Sequence, residues 1–298
     1  MKRAGRISEF AITTLIRLMG YSSILFVVLI LLFLLREGLP ALGEVSLADL
    51  FSVRWYPTES YFGILPLILG SIIVTFGALL VAVPFGILTA LYISEVAPHR
   101  VQEVLKPLVE VLAGLPSVVL GFIGIQLVSP FLRVALNLPT GLTAFTGALL
   151  LGGIAIPTVV SVAEDALNTV PRSYREASLA LGATRWQTMW GVTLPAARSG
   201  VVTAIMLGVG RAMGETMTVM MVTGNAPVMP HGLDALFLPV RTMTATIASE
   251  MGEVANGSSH YHVLFLIGII LFAIALIINI VTFMIGYRKS TRSERLLS

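Results

Sequence analysis

The sequence predicts an all-α, polytopic membrane protein with six transmembrane helices and both termini in the cytoplasm. Three observations carry that prediction. Of 298 residues, 56% are hydrophobic and only 12% charged, about half the charge of an ordinary soluble domain, and the mean hydropathy is +0.92. The charges also cut the chain into apolar runs long enough to cross a hydrocarbon core of about 30 Å, which takes about 20 helical residues. Finally, the basic residues gather in alternate connecting segments. Together these exclude a water-soluble enzyme and a disordered chain. Cysteine is absent, which removes disulfides, thiolate metal sites and cysteine nucleophiles. The net charge of +3 implies no nucleic-acid surface.

Taken in order, Arg17 to Arg36 encloses 18 uncharged residues, Glu59 to Glu95 encloses 35, Glu110 to Arg133 encloses 22 and Arg133 to Glu164 encloses 30. Between Arg198 and Asp234 only Arg211 and Glu215 interrupt the apolar pattern, and His262 to Arg288 supplies a last run of 25. With the N-terminus inside, the inner segments hold 14 Lys and Arg and the outer segments 4 (Arg36, Arg54, Arg133 and Arg241), Arg211 being within a span. That asymmetry sets the orientation. The first span follows a basic lead, but Arg36-Glu37-Gly38-Leu39-Pro40 is a poor cleavage site, so it reads as an uncleaved anchor.

The connections carry further signals. The first outer segment, 37–62, holds Trp55, Tyr56 and Tyr61, aromatics suited to a membrane interface. Residues 133–141 form a tight outer turn, and 225–262 form a longer polar outer loop. Pro84 and Gly86, Pro116 with Gly121 and Gly124, and Pro157 fall inside apolar runs. Such residues mark either broken helices that line cavities or ordinary kinks and close helix packing. His260 and His262 have only Glu253 as a near carboxylate in sequence, so no metal site is expected.

The cytoplasmic loop 164–199 has local order. Ser173 to Glu176 fits a capping box with Ser173 as N-cap, Ala177 to Leu181 favours helix, and Gly182 is placed to end it in a left-handed cap. A second helical stretch is expected from Trp186 to Gly191. A helix of about two turns is marginal alone, so it packs on its own bundle or docks a soluble partner. The chain has no Walker A sequence, Gly-x-Ser-x-Gly or His-Glu-x-x-His; no nucleophile–base pair or metal-ligand set appears in the spans, and no catalytic residue or metal site is predicted.

Arg211 and Glu215 fall within the fifth apolar run, where either charge costs about 2.5–3.5 kcal/mol at a bilayer centre. In a continuous helix Ala204, Gly208, Arg211, Glu215, Thr218 and Val222 would share one stripe, facing a partner helix or a transport path. The pair could satisfy itself, or it could serve an anion. The Arg fork suits a tetrahedral oxyanion. An ionised Glu accepts hydrogen bonds and cannot donate, so Glu215 would accept from the O–H that phosphate keeps near neutral pH and repel sulfate, which has none.

Two motifs then carry a resemblance. Glu176-Ala177-Ser178, Gly182 and Val192-Thr193-Leu194-Pro195 resemble the EAA signature of binding-protein-dependent ABC importer permeases, with Ser178 and Val192 as conservative departures. Arg211-Ala212-Met213-Gly214-Glu215-Thr216 and Leu112 to Gly121 resemble the corresponding stretches of phosphate-specific (Pst) permeases. The continuation Met217 to Asn225 is more similar to the C-subunit type. The likeness covers about Gly63 to Gly286.

It implies a type I ABC importer permease with an N-terminal segment at 1–62, a transmembrane domain at 63–287 containing an EAA-like loop at 164–199, and a basic tail at 288–298. It further implies a high-affinity phosphate importer in a prokaryotic plasma membrane. Arg211, Glu215 and Thr218 would line the substrate path, and Arg175, Glu176, Ala177, Ser178 and Gly182 would dock the ATPase. The partners implied are a second permease subunit (PstA-like), an ATPase dimer (PstB-like) that holds ATP and Mg, and an extracytoplasmic phosphate-binding protein (PstS-like). This chain itself would bind no cofactor and catalyse nothing. A permease for molybdate or sulfate, and a non-transporting membrane sensor, are the alternatives.

Overall fold

A computed structural model describes residues 2–294, with side chains over 12–281 (233 apart) and at 284. The basic tail expected from 288 lies outside the described side chains, and 295–298 lie outside the described residues. Among the described residues five helices are long and apolar enough to cross a membrane: Ile12–Glu44, Leu65–Val96, Ser117–Ala135, Ala144–Asn168 and Ser259–Val281. A bent pair, Arg185–Ala196 and Arg198–Gly214 at 74°, makes a sixth if counted as one span.

The second and fourth spans form the centre, and small residues are what let them approach. A Cβ at Gly77 would stand 2.8 Å from the Ala148 Cβ, one at Gly86 would stand 2.7 Å from Val159 Cγ1, and one at Gly152 would stand 2.9 Å from the Ala78 carbonyl oxygen. Close backbone approach of this kind gives packing contact where lipid supplies no hydrophobic drive. Pro84 and Pro157 both sit inside unbroken helices, Leu65–Leu91 and Ala144–Asn168. Neither proline marks an interruption, and Gly86 serves packing. The first helix, Lys2–Gly38, lies at the periphery. Its end meets the last helix, with Phe33 and Phe265 rings 5.5 Å apart and Gly38 allowing contact with Leu266 and Ile269. Its apolar side chains from Ile12 to Phe33 are largely exposed.

Outside the spans the chain is more ordered than its polarity suggests. Trp55–Tyr56 pairs antiparallel with Tyr61–Phe62. Trp55 is 1% exposed, stacked edge-on against Phe62 and His260, and donates to Glu250 at 3.1 Å. It is a core residue of the outer cap, while Tyr56 and Tyr61 remain exposed. The expected outer loop 225–262 contains a helix, Met243–Glu250, capped by the Thr242 hydroxyl. The Met243 N–H donates to Ser71 Oγ at 2.9 Å. Gly70 leaves the room for that approach, because a Cβ there would lie 2.3 Å from the Arg241 carbonyl oxygen.

Candidate functional site

Two genuine helix breaks face each other. The amphipathic helix His99–Ala113 stops at Gly114-Leu115-Pro116, and the third span restarts at Ser117. Pro116 has an extended ψ of 130° and offers no N–H, which suits the start of a new helix. The fifth run stops at Gly214, passes through Glu215 in an extended conformation (φ −71°, ψ 127°) and restarts as Met217–Val222. Glu215 Oε1 accepts the Thr218 N–H at 3.2 Å, satisfying one of the donors a helix start leaves open.

The two breaks are stitched together. Arg211 Nη2 donates to the Ala113 carbonyl at 3.2 Å, and Thr218 Oγ1 donates to the Ser117 carbonyl at 2.9 Å. Gly121 permits the contact, since a Cβ there would stand 3.2 Å from Thr218 Cα. Interrupted helices with freed backbone groups are found where they line a cavity or path.

The geometry corrects the single stripe expected from Ala204 to Val222. The helix breaks between Arg211 and Glu215, so a four-residue spacing no longer places them on one face, and no ion pair joins them among the described residues. The buried face of Arg198–Gly214 is Val201, Ala204, Gly208 and Ala212, and Gly208 packs on Val159 of the fourth span. The small residues therefore meet their own chain. Arg211, three residues after Gly208 and seven after Ala204, keeps their side of the helix but is exposed, while Glu215 is half-buried and Thr218 is buried.

The cytoplasmic loop holds the second group of expected residues. Its helix runs Arg172–Ala180 with Pro171 as N-cap and no side-chain cap. It thus starts two residues earlier than the Ser173 box implied, and Ser173 lies inside the first turn. Gly182 does end it, at φ +84°. The Ala183 N–H bonds the Ser178 carbonyl and the Gly182 N–H bonds the Leu179 carbonyl, which is the Schellman pattern. The capping box in this loop is Thr184 with Gln187, opening a helix at Arg185–Thr188 that continues as a π-turn, Met189–Thr193. The Thr-x-x-Gln spacing is itself the sequence signal of that cap.

Glu176 and Ala177 are exposed, as are Tyr174, Leu179 and Trp186, and Leu181 is 90% exposed. Ser178 is half-buried, its hydroxyl 3.0 Å from Thr188 Oγ1. Arg175 turns inward. Its Nε and Nη2 both donate to Glu95 Oε1, at 3.0 and 2.7 Å, Nε also reaches Glu95 Oε2 at 3.3 Å, and further bonds go to the Val170 and Leu167 carbonyls at 2.7 and 2.9 Å.

Beside this clamp, Lys106 meets Glu164 at 3.0 Å, and Asn168 donates to the same carboxylate at 2.6 Å. The hydrogen bond that Lys106 donates to Glu164 raises the pKa of its ammonium above the ordinary value, against the opposing effect of burial. On the outer side, His260 lies 2.8 Å from Glu250, whose carboxylate also pairs with Arg241. His262 Nδ1 lies 2.7 Å from the Glu37 carbonyl. Both histidines thus tie outer segments together.

The sequence pattern of the family described as binding-protein-dependent transport system inner membrane component matches residues 82–290, which include both helix breaks and the loop. The chain belongs to that family. A probable ABC transporter permease protein, YqgH, of Bacillus subtilis is 38% identical over 268 residues, 88% of this chain and 86% of that one. A phosphate transport system permease protein PstC of Mesorhizobium japonicum is 34% identical over 258 residues, 80% of this chain and 77% of that one.

Among solved structures, a bacterial alginate ABC transporter in complex with its pentasaccharide-bound periplasmic protein matches at a TM-score of 0.60. It is 16% identical and covers 91% of this chain and 94% of that one. The inward-facing MetNI methionine ABC transporter matches at 0.55 and 20% identity, over 76% and 94%. These show a shared importer fold. The permease is accordingly a multi-pass protein of a prokaryotic plasma membrane, and membership implies an ATPase and a binding protein as partners.

Proposed function

We propose that this chain is the C-type permease subunit of an ATP-driven, high-affinity importer of inorganic phosphate. The observation that carries the reading is the stitched pair of helix breaks that bear Arg211 and Glu215, in a chain a third identical to a phosphate permease over four-fifths of its length. A phosphate-binding protein delivers the anion to the outer face. A second, PstA-like permease completes the path, with both termini of this chain inside. A PstB-like ATPase dimer engages the exposed face of the loop helix around Glu176, Ala177 and Leu181, and ATP and Mg stay on that partner. This chain performs no chemistry of its own.

Arg211 balances the anion's charge midway, using donors that its single backbone bond leaves free. Glu215 Oε2, which carries no hydrogen bond among the described residues, accepts the phosphate O–H. Thr218 fixes the two breaks against each other, so the path keeps its shape.

The test is uptake of labelled phosphate by cells that depend on this permease, with unlabelled sulfate and molybdate as competitors. Phosphate-selective uptake supports the reading. Uptake displaced by either competitor, or phosphate-independent ATP hydrolysis by the reconstituted complex, overturns the substrate assignment or the transport role respectively.

A further inference from the structure

The loop helix Arg172–Ala180 has no buried side chain, and only Arg175 and Ser178 are even half-buried. Its apolar residues face outward, so apolar packing does not attach it to the membrane bundle. What ties it directly to the spans is one guanidinium, the Ser178 hydroxyl meeting only Thr188 of the next helix in the same loop. Arg175 bonds the Glu95 carboxylate through two nitrogens and also reaches the carbonyls of Leu167 and Val170.

Those acceptors belong to different elements. Glu95 sits in the π-turn Tyr92–Val96 that closes the second span, and Leu167 belongs to the last turn of the fourth span, whose carbonyls lack helical partners. Behind them Leu91, Ala163, Leu167 and Val170 share one apolar core, so the two spans move as one body. On its open side the clamp borders a cavity of about 560 Å³ that also reaches Ser94, Lys106 and Arg172. Nothing braces the helix there. The pair is half-sheltered, at 20% and 13% side-chain exposure, where charge-assisted forked bonds hold geometry well.

We infer that the Arg175–Glu95 pair is the link through which the loop helix moves the second and fourth spans, making Arg175 a positioning residue for coupling. This rests on the proposed function, in which an ATPase engages the exposed face of that helix. A push on the exposed face passes into the bundle through Arg175, because no other side chain of the helix reaches so far. Lysine cannot replace it, since an ammonium has no fork and cannot hold the carboxylate and both carbonyls together.

The test uses the complete complex of both permeases, ATPase and binding protein in proteoliposomes, measuring phosphate imported per ATP hydrolysed and the ATPase retained on purification. Glu95→Gln leaves the loop's exposed face untouched, so ATPase retention stays at the wild-type level. Phosphate imported per ATP falls about tenfold, equivalent to one charge-assisted bond. Arg175→Lys lowers the same ratio, and combining it with Glu95→Gln adds less than about twofold more, as expected for partners in one interaction.

If Glu95→Gln does not assemble, Glu95→Asp, one methylene short, is read in the same way. An unchanged ratio in the assembled Glu95 variant overturns the inference, as does loss of ATPase retention in Arg175→Lys alone, which would make Arg175 a direct ATPase contact. A wild-type complex that imports no phosphate overturns the functional reading itself, and is recognised because it fails before any substitution.

Discussion

Replacing Arg211 by Gln separates a transport role from a structural one. In the structure the side chain is exposed and makes one hydrogen bond, 3.2 Å to a backbone carbonyl. It has no carboxylate partner to leave stranded. Gln is too short to keep that bond, so the expected loss in stability is that of one hydrogen bond, about 0.5–1.5 kcal/mol. The effect on transport is larger. Losing a hydrogen bond from a charged donor to the anion removes about 1.5–3 kcal/mol, which at about 1.4 kcal/mol per tenfold predicts uptake lowered about 10- to 150-fold. Arg211→Lys keeps the charge without the fork and falls between. The assay is the initial rate of labelled phosphate uptake, normalised to assembled complex extracted from the membrane. Full-rate uptake in Arg211→Gln refutes the path. A loss of uptake that merely follows a loss of assembled complex refutes it too, by making Arg211 a structural tie between the breaks.

Three further outcomes are expected. Glu215→Gln keeps an oxygen to accept the Thr218 N–H, so the complex assembles, but a neutral amide no longer repels sulfate; sulfate competition for uptake should rise several-fold by the roughly 1 kcal/mol worth of one hydrogen bond. Gly182→Ala places a Cβ at φ +84° with nothing crowding it, a cost of about 1–2 kcal/mol from backbone conformation alone; the amount of ATPase co-purifying with the complex should drop. Lys106 titrates above its ordinary value of 10.5 in the folded protein because of its Glu164 bond. Its stabilising contribution is therefore complete below 10.5 and lost as pH rises through the raised value. Thermal melts of wild type and Lys106→Met should differ by a constant amount from pH 7 to 9 and converge in stronger alkali, the difference being small because the side chain is 46% exposed.

The spans and the loop were legible because their signals are additive over many residues: charge spacing for the spans, and helix formers ending at a glycine for the loop helix. The breaks were harder. A proline in an apolar run reads the same whether the helix continues, as at Pro84 and Pro157, or stops, as at Pro116. The difference lies in what satisfies the backbone, and only the fold supplies that: Thr218 and Arg211 reach across to the Ser117 and Ala113 carbonyls from about 100 residues away in sequence. The stop at Gly214 gave no proline signal, and a four-residue spacing from Arg211 to Glu215 invited a continuous helix. Trp55 was read as an interfacial anchor from its residue type; its burial comes from Phe62 and His260, which a local reading cannot bring together.

The corrected face of the fifth helix changes what has to be explained. Within Arg198–Gly214 the residues Ala204, Gly208 and Arg211 keep one side, and the break removes Glu215, Thr218 and Val222 from it. Gly208 is used up against Val159 of the fourth span, yet Arg211, one turn further on, stays exposed with one backbone bond. An arginine left facing lipid costs about 2.5–3.5 kcal/mol at the bilayer centre, and nothing within the described chain neutralises it. On the proposed function the charge is accounted for by water, the anion and the second permease, all on the side the chain leaves open. Closing that side with lipid rather than with a path would strand a charge that replacement by Leu should relieve. Arg211→Leu losing transport with assembly and stability little changed is the combination that a path requires, whereas a gain in stability would place the charge against lipid.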